Sequence, residues 1–261
     1  MTLRPPTPAP SAVISRDGTK ITTFDFGDPD GAVVLAVHGF ASSALANWSV
    51  TGWIRDLTRA GLRVIAIDQR GHGGSDKPHD PSNYTMDHLV DDVLAVADTY
   101  MLDTASLLGY SLGARVSWRA AIEHPHRFDR AVLGGMPAGD PLSRFRLEEA
   151  REHIRSGVAI DDKLTATFVA MAETLPGNDL EALVSLVEGL RGGPQAWITD
   201  TPTQPLLLAT GGEDPLLDDS RRLAEAAPDA EFLEIAGRSH FNATTAKEFR
   251  EAATRFLTAP R

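Results

Sequence analysis

No cysteine occurs anywhere in the 261 residues, which excludes a disulfide framework, a thiolate metal site and a cysteine nucleophile. Positive charge is in short supply: 25 lysines and arginines stand against 36 aspartates and glutamates, a formal net charge of −11. Such a chain repels a phosphate backbone or an anionic bilayer, so neither nucleic acid nor a membrane is expected as a partner. Long apolar runs are also missing. Stretches such as Ala32 to Val37 fall far short of the roughly 20 residues needed to cross a bilayer. The first residues carry Arg4 but no apolar stretch of signal-peptide length, and a cytoplasmic protein is the expectation. The prolines at 5, 6, 8 and 10 suit a flexible, extended tail over residues 1–10.

With 42% hydrophobic and 23% charged residues, the rest of the chain has the composition of an ordinary globular domain. From Val13 to Phe26 the pattern alternates around Asp17-Gly18, which predicts an antiparallel hairpin. Ala32 to Val37 has no polar face and reads as a strand covered on both sides, as do Leu62 to Ile67, Ala105 to Leu108, Ala131 to Leu133 and Leu206 to Ala209. Helical periods separate them over Thr51 to Ala60, Thr85 to Tyr100 and Leu112 to Glu123. Alternation of this kind predicts a three-layer α/β fold on a mostly parallel sheet. Between residues 137 and 201 only helical patterns remain, at Pro141 to Ile154, Asp162 to Leu175 and Leu180 to Leu190. An inserted helical cap over a core of residues 11–136 and 202–258 is therefore expected, overhanging the strand ends where open α/β sheets bind ligands. Glu231 to Ile235 supplies a last strand and Asn242 to Leu257 a closing helix.

Gly109-Tyr110-Ser111-Leu112-Gly113 has the G-x-S-x-G form of a nucleophile elbow. The pentapeptide alone is a weak signal. Its place between an apolar strand and a helix gives it weight, because the glycines permit a turn tight enough to hold Ser111 in a strained conformation. A serine hydroxyl needs a general base. Of eight histidines, His240 lies in the loop after the last strand, at the same sheet edge as Ser111. His72 and His79 fall in what reads as a surface loop, His88 in a helix, His124 and His126 around Pro125, and His153 in the insertion. The third group must be a carboxylate at a neighbouring strand end. Asp214 in TGGEDPLL meets that need, with Glu213 and the pair Asp218 and Asp219 as alternatives. Donors to a developing oxyanion are expected from the backbone N–H groups of Leu112 and of Phe40, the latter in His38-Gly39-Phe40 after the first buried strand.

These motifs, in the order Ser111, Asp214, His240, resemble those of the α/β-hydrolase superfamily over nearly the whole chain. Asp68-Gln69-Arg70-Gly71-His72-Gly73-Gly74-Ser75-Asp76 is similar to a DxRGHGxSD segment of capped members, where it is largely structural, so His72 is not counted as catalytic. The resemblance implies a serine hydrolase, carboxylesterase-like, acting on a small acyl compound with neither cofactor nor metal. Dehalogenases and epoxide hydrolases of the superfamily carry Asp at the elbow, and Ser111 speaks against both. Carbon–carbon bond hydrolases, thioesterases and proline-iminopeptidase-like enzymes remain alternatives on the same frame, as does a small-molecule receptor with vestigial turnover. Trp48, Met136, Phe168, Trp197 and Phe241 are expected to line an apolar pocket. Neither oligomeric state nor the natural substrate follows from these residues.

Overall fold

The computed structural model describes residues 6–193 and 195–260. The tail expected over 1–10 lies partly outside them, and residues 6–10 carry no regular structure. Eight strands form one sheet: β1 (Ser11–Ile14), β2 (Lys20–Phe26), β3 (Val33–Val37), β4 (Arg63–Asp68), β5 (Ala105–Tyr110), β6 (Phe128–Gly134), β7 (Leu206–Gly211) and β8 (Ala230–Ile235). Their spatial order is β1-β2-β4-β3-β5-β6-β7-β8. β1 and β2 form the expected hairpin, with β2 antiparallel to β4, and every pair from β4 to β8 is parallel.

The unbroken apolar strands follow from burial on both faces. Successive residues point to opposite sides, so Leu35, Val37, Leu107 and Leu133 enter one core while Val34, Ala36, Leu108 and Val132 enter the other. The first is covered by α2 (Met86–Thr99), α3 (Leu112–Glu123) and α7 (Leu217–Ala226); the second is covered by α1 (Trp53–Arg59) and α8 (Lys247–Thr258). Local signals start these helices where expected: Thr85 Oγ1 accepts from His88 N at 3.2 Å and caps α2. α7 was not anticipated, because Asp218, Asp219, Arg221 and Arg222 mask its few apolar positions. The stretch expected as one helix from Pro141 divides into a 3₁₀ turn, Pro141–Arg144, and α4 (Leu147–Ser156), since Phe145 takes an extended backbone. α5 (Lys163–Thr174) and α6 (Leu180–Leu190) follow before the chain returns to β7, and the three helices pack on one another. No helix among the described residues is long and apolar enough to cross a membrane.

The chain leaves β3 toward β4 on one side and later places β5 on the other. That reversal opens a crevice at the carboxyl ends of β3 and β5. His38-Gly39-Phe40 and Ser111 emerge there.

Candidate active site

Ser111 sits between β5 and α3 with φ 53° and ψ −112°, a conformation that costs a side-chain-bearing residue about 1–3 kcal/mol. The turn is held from both sides: Ser111 N donates to Gly134 O at 2.8 Å, and Ser111 O accepts from Arg115 N at 3.1 Å. Its tightness explains the flanking glycines. A Cβ on Gly109 would lie 2.4 Å from Gly113 O, and one on Gly113 would lie 2.0 Å from Val37 O, so any side chain at either position drives backbone into backbone.

His240 follows β8, and Asp214 follows β7. Ser111 Oγ lies 2.9 Å from His240 Nε2, and His240 Nδ1 lies 2.7 Å from Asp214 Oδ2. An ionised carboxylate only accepts, so Nδ1 carries the proton and Nε2 is the free acceptor facing the hydroxyl. The second Asp214 oxygen accepts from Leu216 N at 2.9 Å, and the carboxylate is sealed from solvent. Of the alternative acids, Glu213 is exposed, Asp218 pairs with Arg221, and Asp219 accepts from Arg222 and Ala138 N. Tyr110 Oη donates to His240 O, and the His240 ring packs so closely over Gly135 that a Cβ there would lie 2.9 Å from Cε1. The imidazole is thus fixed by its neighbours as well as by its carboxylate.

The loop after β3 shows how backbone donors are left for a ligand. Gly39 N is taken by Asn47 Oδ1 at 3.3 Å, and Ala41 N by His72 Nε2 at 3.0 Å. Phe40 N, between them, meets no acceptor among the described residues. Leu112 N is the first amide of α3 and has no partner within its helix. Among the described residues neither of these two amides, the groups expected from sequence as oxyanion donors, meets an acceptor. Behind them His72 is fully buried, which corrects its placement in a surface loop. Its Nδ1–H donates to Arg70 O at 3.1 Å, while His38 donates to Gly39 O at 2.7 Å and accepts from Gln69 N at 3.1 Å. Burial holds both imidazoles below the ordinary histidine range. Asp68 completes the scaffold by accepting from Ala44 N at 2.7 Å and Gly74 N at 2.8 Å. None of these groups reaches Ser111; they hold the loop that does.

Two cavities, of about 310 and 180 Å³, meet at Ser111, with Phe40, Phe168, His240 and Phe241 bordering both. Of the residues expected to line a pocket, Phe168 and Phe241 border these cavities. Trp48, Met136 and Trp197 do not. Trp48 is fully buried in the opposite core, its ring 5.6 Å edge-on from Trp53, because the π-helical turn Leu45–Ser49 aims it at the α1 and α8 layer. Met136 is fully buried beneath the site, its carbonyl accepting from Ser220 Oγ at 2.6 Å. Trp197 is 59% exposed and bridges to Asp200 at the outer surface. Reasoning from sequence also missed Arg115, a cavity-lining residue with only 4% exposure. The signal was there: a charged residue one helical turn beyond Ser111, inside the otherwise apolar stretch Leu112 to Val116. Among the described residues no three His, Asp or Glu side chains group closely enough to hold a metal ion.

Residues 32–245 match the family model described as the alpha/beta hydrolase fold. The chain is 38% identical over 117 residues to epoxide hydrolase B of Mycobacterium tuberculosis, covering 44% of this chain and 32% of that protein. It is 34% identical over 172 residues to epoxide hydrolase 2 of Caenorhabditis elegans, covering 64% of this chain and 45% of that one. The chain thus spans from a third to under half of the length of these two relatives. A solved enol-lactonase from Burkholderia xenovorans superposes with a TM-score of 0.78 at 21% identity, over 95% of this chain and 100% of the other, a likeness of fold. With a family model running from β3 to the last strand's exit loop and a sheet of matching shape, the chain belongs to the alpha/beta hydrolase fold family.

Proposed function

We propose that this hydrolase cleaves a small carboxylic ester by way of an acyl-enzyme on Ser111. The observation that carries the reading is the unbroken chain of contacts at the cavity floor, 2.9 Å from Ser111 Oγ to His240 Nε2 and 2.7 Å from His240 Nδ1 to Asp214. Ser111 Oγ attacks the carbonyl carbon as Nε2 takes its proton, and Asp214 stabilises the resulting imidazolium. The oxyanion forms against the N–H groups of Phe40 and Leu112. Collapse expels the alcohol, which receives the proton from Nε2. Water, deprotonated by the same nitrogen, then attacks the acyl carbon and frees Ser111. Residues 137–201 act as a cap over a core of 11–136 and 202–258, with Phe168 closing the apolar wall.

Lactones, as cyclic esters, fall within the same chemistry. Epoxide opening, the activity in the names of two relatives, does not. A serine oxygen adding to an epoxide carbon leaves an ether, which this machinery has no means to hydrolyse, so turnover would stop after one event.

Ser111→Ala should lower kcat for a short-chain 4-nitrophenyl ester by about 10³-fold or more, and a fluorophosphonate probe should label Ser111 alone. Ester turnover that survives the substitution sinks the reading.

A further inference from the structure

The larger of the two cavities is apolar on most of its wall, with Leu112, Pro141, Leu142, Leu164 and Phe168, yet two guanidinium side chains, Arg115 and Arg144, also line it. Its one carboxylate, Asp214, is already bonded to His240. Arg115 is 4% exposed and meets Asp140 through Nη1 alone, at 3.2 Å. Its Nη2 is buried without an acceptor among the described residues, and Arg144 makes no ion pair among them. A buried cation half-satisfied in this way is costly unless something completes its hydrogen bonds. Arg115 stands four residues beyond Ser111 on α3, a rise of about 6 Å on the same helix face, and helical side chains lean back toward the N-terminus. Arg115 thus lines the cavity about one helical turn from the nucleophile.

We infer that the larger cavity recognises an anionic group, a carboxylate on the half of the substrate that occupies it, through Arg115 with Arg144 at the rim. The inference deepens the esterase reading by naming a substrate class: monoesters or lactones that carry a free carboxylate. Arg115 also borders a void of about 10 Å³ with Gln195 and Trp118, room for a single water at most. If that water is all that Nη2 serves, Arg115 is structural and has no preference to impose.

Two substrate pairs separate these cases, because either half of an ester could enter the cavity. In the first the carboxylate is on the acyl side, 4-nitrophenyl hydrogen glutarate against 4-nitrophenyl pentanoate. In the second it is on the leaving group, 4-carboxyphenyl butanoate against phenyl butanoate. In one pair, Arg115→Met should lower the anionic-to-neutral ratio of kcat/KM by roughly 30-fold or more, with Arg115→Lys restoring part of it and Arg144→Gln lowering it by about 3-fold. Arg115→Met/Asp140→Asn removes the uncompensated acid and should keep the altered ratio. Arg144→Gln and Arg115→Lys keep the test open if the methionine variants do not fold. Ratios unchanged in both pairs, or both substrates of each pair falling together, overturn the carboxylate site while leaving the esterase reading intact. Should no ester be turned over, the esterase reading fails instead. The site is then judged by binding: glutarate should raise the melting temperature of the Ser111→Ala chain in an Arg115-dependent way, and no such shift overturns it.

Discussion

The floor of the crevice and its roof are built on different terms. The floor rests on a polar, locked scaffold: His38, Asp68, Gln69 and His72 are all buried, and each bonds the backbone of the segment that carries Phe40. The roof, α4 to α6 with the turn before them, meets the crevice mainly through Leu142, Leu164 and Phe168, and α4 has a single buried residue, Ala150. Hydrogen bonds of fixed geometry tolerate few substitutions, whereas apolar contact tolerates many of similar volume. Groups that must be placed to within a few tenths of an ångström therefore belong to the floor, and the shape of the substrate is left to the roof.

The sharpest way to break that contrast is to change one group on each side. Asp214→Asn should reduce kcat by about 10³ to 10⁴-fold through the wrong imidazole tautomer, with little change in circular dichroism. A rate within tenfold of the parent would remove Asp214 from the mechanism. Stability should respond next. Burial pushes His38 and His72 below the ordinary histidine range in the fold, while in the unfolded chain they protonate below about pH 6.5. The unfolded state then binds more protons, so stability falls as pH drops below that value, by up to about 1.4 kcal/mol per pH unit for each ring. Urea melts at pH 7.5 and 5.5 should show this loss, offset in part by the exposed His79 and the half-buried His153, whose carboxylate and carbonyl partners shift them the other way, and the pH dependence should shrink in His72→Asn. Gly113→Ala, with its clash on Val37 O, should cost about 2–3 kcal/mol; a change under 0.5 kcal/mol would mean that the elbow yields. The smallest effect is expected at the roof. Phe168→Ala should raise KM by about 3 to 10-fold while moving kcat and stability little, and a collapse of kcat there would erase the distinction between the two surfaces.

Legibility in the sequence divided along the same line. Ser111, Asp214 and His240 could be named because each function demands one residue type at a strand end, and the elbow demands glycine on either side. The parallel strands were visible because burial on both faces removes polar residues altogether. The roof has no such grammar. Phe168 and Trp197 look alike as aromatics on apolar segments, yet one closes the cavity and the other faces solvent, a difference set by how segments far apart in sequence meet. Trp48 was misplaced because a π-helical turn, which leaves no pattern in the residues, rotates it to the other side of the sheet. Arg115 was overlooked because its meaning comes from an unfilled valence, and only coordinates count those.

The backbone torsion at Ser111 sets a ceiling on how well this chain can last. Alanine there keeps the forbidden angle, but glycine relaxes it, so a catalytically dead chain with glycine at 111 should be the more durable molecule by about 1 kcal/mol. The working form carries a standing handicap in resilience, and long-term survival at high temperature is where engineering for robustness and engineering for speed part company.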